Sequence, residues 1–174
     1  LDMDILLPQL VEKTQQGFGL YFVAVFLYDP QTQELTRAAG AGEEEMQTKV
    51  EALSFHISDR PSLVAQAARE RTQLVINDVE QSDAFFGETG LPETASEAVF
   101  PMLVGEHLVG TLDLLSKEKD FFGEEETKIF ATLAEQIAIA VRNAELYGLQ
   151  MVTAAELRRS DSMKGQFLAS MSHE

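Results

Sequence analysis

Apolar residues near the start of the chain recur at helical spacing. Ile5, Leu6, Leu10, Val11 and Phe18 stand at spacings that suit one amphipathic helix over 4–18, and Gly17 and Gly19 mark its end. The period then changes. Residues 20–28 are apolar at consecutive rather than alternate positions and rich in aromatic and β-branched types, which predicts a strand covered on both faces and central in its sheet. Asp29-Pro30 opens a turn, 34–39 pairs back as an edge strand, and 40–49, small and acidic, reads as a loop or frayed helix. A short strand over 54–57 leads to Asp59 and Pro61 and then to Leu63, Val64, Ala67 and Ala68 at helical spacing, with Asp or Ser near the start and Pro in the first turn as the helix openers. Residues 73–79 form a further strand and 80–95 a loop. The clearest hairpin joins 97–104 to 108–115 through Gly105-Glu106-His107. Helices interleaved with mostly antiparallel strands predict an α+β domain.

Beyond Gly123 the sequence holds no proline, and only Gly148 and Gly165 interrupt it. Ile129, Leu133, Ile137, Ala140, Ala144, Tyr147, Met151 and Ala154 recur at intervals of four and three, a coiled-coil-like seam. One continuous helix here would be roughly 75 Å long, so it must leave the domain. The seam predicts a parallel homodimer through this helix. Past Ala154 the spacing lands on Arg158 and Asp161, and apolar residues return out of phase at Met163, Phe167 and Met171. The interval 158–162 is therefore a discontinuity where rotation or loosening is stored, or simply a solvated length of helix.

Composition narrows the partners. Among 174 residues, 13 Lys and Arg stand against 29 Asp and Glu, a formal net charge of −16, and no basic patch is visible. Such a surface repels nucleic acid and anionic lipid. The longest apolar run, 20–28, is half of what a bilayer span needs, so the segment is expected to be soluble, without membrane contact, and cytoplasmic. The absence of Cys excludes disulfides, thiolate metal sites and cysteine nucleophiles. The chain begins at Leu1 and stops inside a motif at His173-Glu174, as an excerpt of a longer protein would.

That motif carries a resemblance. Met163-Lys-Gly-Gln-Phe-Leu-Ala-Ser-Met-Ser-His173-Glu174 resembles the H-box that opens the dimerisation and phosphotransfer helices of bacterial sensor histidine kinases, in the form K-x-x-F-L-A-x-M-S-H-E. The resemblance implies that His173 is the phosphoacceptor and that Glu174 orients it and draws off its proton. A phosphoacceptor must be exposed, and periodicity tests this separately. With Phe167 at 0°, Leu168, Met171 and Met163 lie at about 100°, 40° and −40°, while His173 lies at about 240°, off the apolar stripe. Nothing resembles the ATP-binding domain. ATP, Mg and the cognate response regulator would belong to the parent kinase, and this fragment, without cofactor of its own, is not catalytic alone.

The upstream region resembles a GAF domain, a PAS-like sensory module with a central antiparallel sheet flanked by helices. The resemblance rests on Val23-Ala-Val-Phe-Leu-Tyr-Asp29, Val75-Ile-Asn-Asp-Val79, Leu91-Pro-Glu-Thr94, Ser96-Glu-Ala-Val-Phe-Pro101, Leu108-Val-Gly-Thr-Leu-Asp113, Phe122-Gly-Glu-Glu-Glu126 and Leu133 to Ala144. The expected organisation is a sensor domain over 1–145, a helical signalling linker over 146–162 and the truncated start of the phosphoacceptor domain over 163–174. By the same resemblance, a small-molecule site would be lined by Phe55, His56, Asp78, Phe85, Phe86, Ser96 and Glu97, the polar residues orienting a ligand and the aromatic ones burying it. Each also has a plain structural use: Phe85 and Phe86 can pin a loop, and Asp78 can cap a turn. Without Cys, covalent bilin has no attachment point. A haem would need His56 or His107, and a lone histidine is weak evidence, so haem is not expected. The cyclic-nucleotide signature N-K-x-F-x3-D-E is approached only by Ser116-Lys117, Phe121 and Glu125-Glu126; Glu124 to Glu126 are better explained as acids offsetting the dipole of a helix start. Two functions remain open: a ligand-sensing segment of a histidine kinase, or a ligand-free domain that only dimerises and transmits.

Overall fold

The computed structural model describes residues 2–42, 53–83 and 91–173. Helix α1, Met3–Phe18, begins where the Asp2 carboxylate accepts the Asp4 N–H and ends at Gly19, whose φ of 63° is the left-handed conformation that closes helices. Strands β1, Phe22–Asp29, and β2, Glu34–Gly42, follow as a hairpin. Strand β3, Ser54–His56, precedes helix α2, Leu63–Glu70, which is capped by the Ser62 hydroxyl. Strand β4, Leu74–Ile76, and a 3-10 turn, Val79–Gln81, lead to the hairpin of β5, Ser96–Val104, and β6, His107–Ser116. Helix α3, Glu124–Ser172, ends the described chain.

The strands form one antiparallel sheet in the order β3-β2-β1-β6-β5-β4. As its unbroken apolar run requires, β1 lies inside the sheet between β2 and β6. Strand β2 is not the edge that the sequence suggested. Strand β3 pairs along it, Leu35 opposite Phe55, and β2 runs on to Gly42, absorbing the first part of the expected loop. Residues 43–49 lie outside the described chain. Strand β4 is shorter than predicted because Asn77 and Asp78 turn away to other partners. The β5–β6 turn is tighter: Val104 pairs with His107, leaving Gly105-Glu106 as a two-residue loop with Gly105 at φ 60°.

The alternating side chains fill two layers. On one face Val23, Val25, Ala98, Phe100, Leu112 and Leu114 pack against Leu7 and Val11 of α1 and Phe130, Ala134, Ile137, Ala138 and Val141 of α3. On the other, Phe22, Ala24, Phe26, Val99 and Leu115 meet Leu63, Val64, Ala67 and Ala68 of α2. Gly110 lets β6 close on β1, since a Cβ there would stand 1.9 Å from the Phe26 carbonyl oxygen.

The 49 residues of α3 correspond to roughly 74 Å. Its last fully buried residue is Val141; beyond it Leu146, Leu149, Met151, Val152, Leu157, Met163, Phe167, Leu168 and Met171 are all exposed. The four-and-three stripe of the sequence divides. Ile137 belongs to the domain core, whereas Ile129, Tyr147 and Met151 are open. The helix runs unbroken through 158–162. No described helix is long and apolar enough to cross a membrane.

Candidate functional site

The α2 face of the sheet carries a buried polar row in apolar surroundings. Thr111 and Asp113 share the side of β6 that Leu115 presents to α2, and Glu97 shares the side of β5 that Val99 presents. In the register Asp113 stands between Ala24 and Val99, with Glu97 diagonal to it. Thr111, Glu97 and Asp113 are 0%, 4% and 2% exposed. Burial pushes the Asp113 carboxyl up to about 7, against smaller opposing pulls from its hydrogen bonds with Glu97 and the Leu114 N–H. A hydrogen bond between two carboxyls requires one proton to be held between them. Thr111 Oγ1 and Asp113 Oδ1 have no hydrogen-bond partner among the described residues. Buried polar atoms are nearly always satisfied, so these two stand out among the described residues.

The sequence-predicted residues are only partly gathered here. Phe55 joins the α2 layer, its ring 5.6 Å from Phe26. His56 serves its own turn: its backbone N–H donates to Asp59 and its Nδ1 lies 2.7 Å from Ser58 Oγ. Asp78 accepts the Glu80 N–H at the head of the 3-10 turn and pairs with Lys119 at 3.2 Å. Ser96 and Glu97 are consecutive on β5, so they point to opposite faces. Ser96 has the parity of Ala98 and Phe100, and its hydroxyl donates to the Glu118 carbonyl at 2.7 Å. Phe85, Phe86 and Glu174 lie outside the described residues. Asp113 and Thr111 escaped the sequence reading, although an acid two places from a threonine inside the apolar run 108–115 was the available signal.

A second constellation ties β4 to the start of α3. Asn77 Nδ2 donates to the Phe122 carbonyl and its Oδ1 accepts the Phe122 N–H, both at 3.0 Å, while the Asp120 N–H donates to the Asn77 carbonyl at 2.9 Å. Lys119 bridges Asp78 and Glu80, and these partners hold its ammonium above the ordinary lysine value, Glu80 contributing most. The segment that launches α3 is thus fastened to the end of β4. A groove of about 540 Å³ opens on the α3 side between the β5–β6 turn and the helix, lined by Arg71, Gln73, Val104, Glu135 and Ile139, and holds none of the predicted residues. Among the described residues no group of three or more His, Asp or Glu could hold a metal.

At the far end His173 is exposed and follows the last helical residue, with φ −90° and ψ −7°. Met163, Phe167, Leu168 and Met171, on the turns before it, are also open, Phe167 at 64%.

An antiparallel sheet with two terminal helices on one face, a short helix over a buried polar row on the other and a helix leaving the sheet defines a sensory α+β domain. The family profile of the GAF domain matches residues 1–142, and the chain belongs to that family. Solved structures of the same fold include the GAF domain of an Acinetobacter phosphoenolpyruvate-protein phosphotransferase, 16% identical over 85% of this chain and 87% of that one, with a TM-score of 0.71. They also include the free methionine-R-sulfoxide reductase of Neisseria meningitidis in complex with its substrate (23%, 82% and 81%, TM-score 0.67). The second GAF domain of DevS from Mycobacterium smegmatis is a third (18%, 86% and 99%, TM-score 0.66). At these identities the likeness is one of fold. Comparison with curated proteins finds no match.

Proposed function

We propose that this chain is the sensory and signal-transmitting segment of a two-component sensor histidine kinase, in which a GAF domain passes its state along a paired α3 helix to the phosphoacceptor His173. The observation that carries this reading is the course of α3: it leaves the core after Val141 and runs unbroken to the H-box-like residues 163–173, bringing His173 out exposed at its end. A neutral imidazole there attacks the γ-phosphorus of ATP held by a separate domain of the parent protein, the bond to the β,γ-bridging oxygen breaks with ADP leaving, and Glu174 takes up the ring proton. The apolar residues of the free arm, from Leu146 to Met171, pack against a second copy running parallel, which sets two phosphoacceptors side by side.

Signal enters through the fastening of β4 to the helix start. A ligand on the α2 face that shifts β4 or β5 also shifts Asn77, and with it Phe122 and the first turn of α3. The polar interval around Arg158 and Asp161 stores that shift, because nothing apolar locks the two helices there.

The test is phosphorylation of the full-length protein with γ-labelled ATP. Acid-labile, alkali-stable label is expected on the wild type and none on His173→Gln. Undiminished labelling of His173→Gln would exclude the assignment.

A further inference from the structure

Every seventh residue of α3 from Ile129 onward, namely Gln136, Asn143, Gln150 and Leu157, falls on one line of the helix. With Asn143 set at 0°, the buried Phe130, Ala134, Ile137, Ala138 and Val141 lie between about 120° and 220°. Asn143 therefore faces directly away from the core, and Gln136 and Gln150 lie within about 20° of it. All three amides are exposed, and none has a hydrogen-bond partner among the described residues. Polar side chains around them are engaged within the chain: Arg142 pairs with Glu145 at 3.3 Å, and the Thr132 and Thr153 hydroxyls donate to the Lys128 and Leu149 carbonyls. The small side chains of Ala140 and Ala144 leave a hollow of about 490 Å³ beside Asn143, bounded by Ile139 and Tyr147. The flanking lines are apolar, Ile139 and Leu146 on one side and Ala140, Tyr147 and Ala154 on the other. Amides at heptad spacing between apolar lines are the pattern of a polar stripe inside a two-stranded seam.

We propose that Gln136, Asn143 and Gln150 form an amide ladder at the centre of the α3 pair, which selects a second copy of this chain, parallel and in register, as the partner. This deepens the paired-helix reading and rests on it. A side-chain amide is both donor and acceptor, so each meets its own copy with a hydrogen bond and no charge is buried. A slip of one heptad sets Gln150 against Leu157 and Gln136 against Ile129, which buries amides on apolar side chains without partners. From Ile129 to Leu157 the line is symmetric about Asn143, so the amides alone do not set direction. The arm beyond them does. Parallel chains cover the exposed Leu168 and Met171 of each arm with the same residues of the other, whereas an antiparallel pair centred on Asn143 carries them past the partner's helix start. The ladder weakens the pair relative to an apolar line and fixes its register.

The chain has no Cys, so single introduced cysteines report how the 174-residue chain pairs under oxidation by copper phenanthroline. Leu157→Cys should cross-link about ten times faster than Val152→Cys, a position as exposed but on the opposite side of the helix. Mixing Leu157→Cys with Lys164→Cys probes a slip of one heptad, and mixing it with Ile129→Cys probes antiparallel pairing; neither mixed disulfide should form. Gln136→Leu, Asn143→Leu and Gln150→Leu together should tighten association by about tenfold or more and admit the slipped disulfide or species of more than two chains. All three positions are exposed in the single chain, so the domain's fold does not depend on them. Either mixed disulfide with the amides intact, equal rates at 157 and 152, or a leucine variant that pairs more weakly or keeps a single register would overturn the proposal. Equal rates are also the result for a face that takes a different protein. Labelling of His173 in the full-length protein is scored separately. Labelling with equal cross-linking rates refutes the ladder and leaves the phosphoacceptor assignment standing, whereas register-specific cross-linking without labelling supports the ladder and refutes that assignment.

Discussion

Asp113 is the most strongly perturbed acid among the described residues of the sheet. Its carboxyl sits at about 7 in the folded chain against an ordinary value of 3.8, chiefly because burial disfavours the anion. Between those values the folded state holds a proton that the unfolded chain has released. Stability therefore falls as pH rises from about 4, and the loss is complete above about 7. Replacing Asp113 by Asn removes the titration, so the variant should gain on the order of 1–3 kcal/mol over the wild type at pH 8 and much less at pH 5. Urea unfolding at the two pH values checks this; an equal difference at both would show that Asp113 ionises freely. The sequence contained the clue, because an acid inside an apolar strand covered on both faces has no solvent to reach. What it withheld was pairing: that Glu97 lies diagonal to Asp113 follows from the register of β5 on β6. Ser96 and Glu97 face opposite sides of the sheet, as the period of two along a strand requires, and Asp78 caps a turn and holds Lys119.

At the scale of elements, the fastening of β4 to the start of α3 is the joint through which the proposed signal would pass. Asn77→Ala removes two hydrogen bonds to Phe122, which should cost about 1–3 kcal/mol. It should also raise amide exchange in the first turns of α3 while leaving the β1–β2 hairpin protected. Uniform protection across α3 would mean that Asn77 does not anchor the helix. Helix α3 was legible in the sequence because its apolar repeat is long and lacks proline. The inner position of β2 was not, because its partner β3 is three residues long and pairing between separate segments leaves no local pattern. The single stripe read from Ile129 to Ala154 merged two surfaces. Near the domain a helix has both a core face, which claims Ile137, and an outward face bearing Ile129.

For the whole molecule, the free arm is the least self-sufficient part. Ten large apolar residues from Leu146 to Met171 are exposed along it, and an isolated helix of that character gains its stability from a partner. In the proposed parallel pairing, two chains would cover these residues and give the two sheet domains a common shaft on which a displacement at Phe122 is shared. The formal charge of −16 works against association, so salt should strengthen the pairing. The central claim, that α3 is a shared output shaft, is tested most directly by multi-angle light scattering of the chain beside a Leu149→Glu, Met151→Glu, Leu157→Glu variant. We predict twice the chain mass for the wild type at micromolar concentration and one chain mass for the variant; a wild type that remains a monomer at hundreds of micromolar would contradict the account.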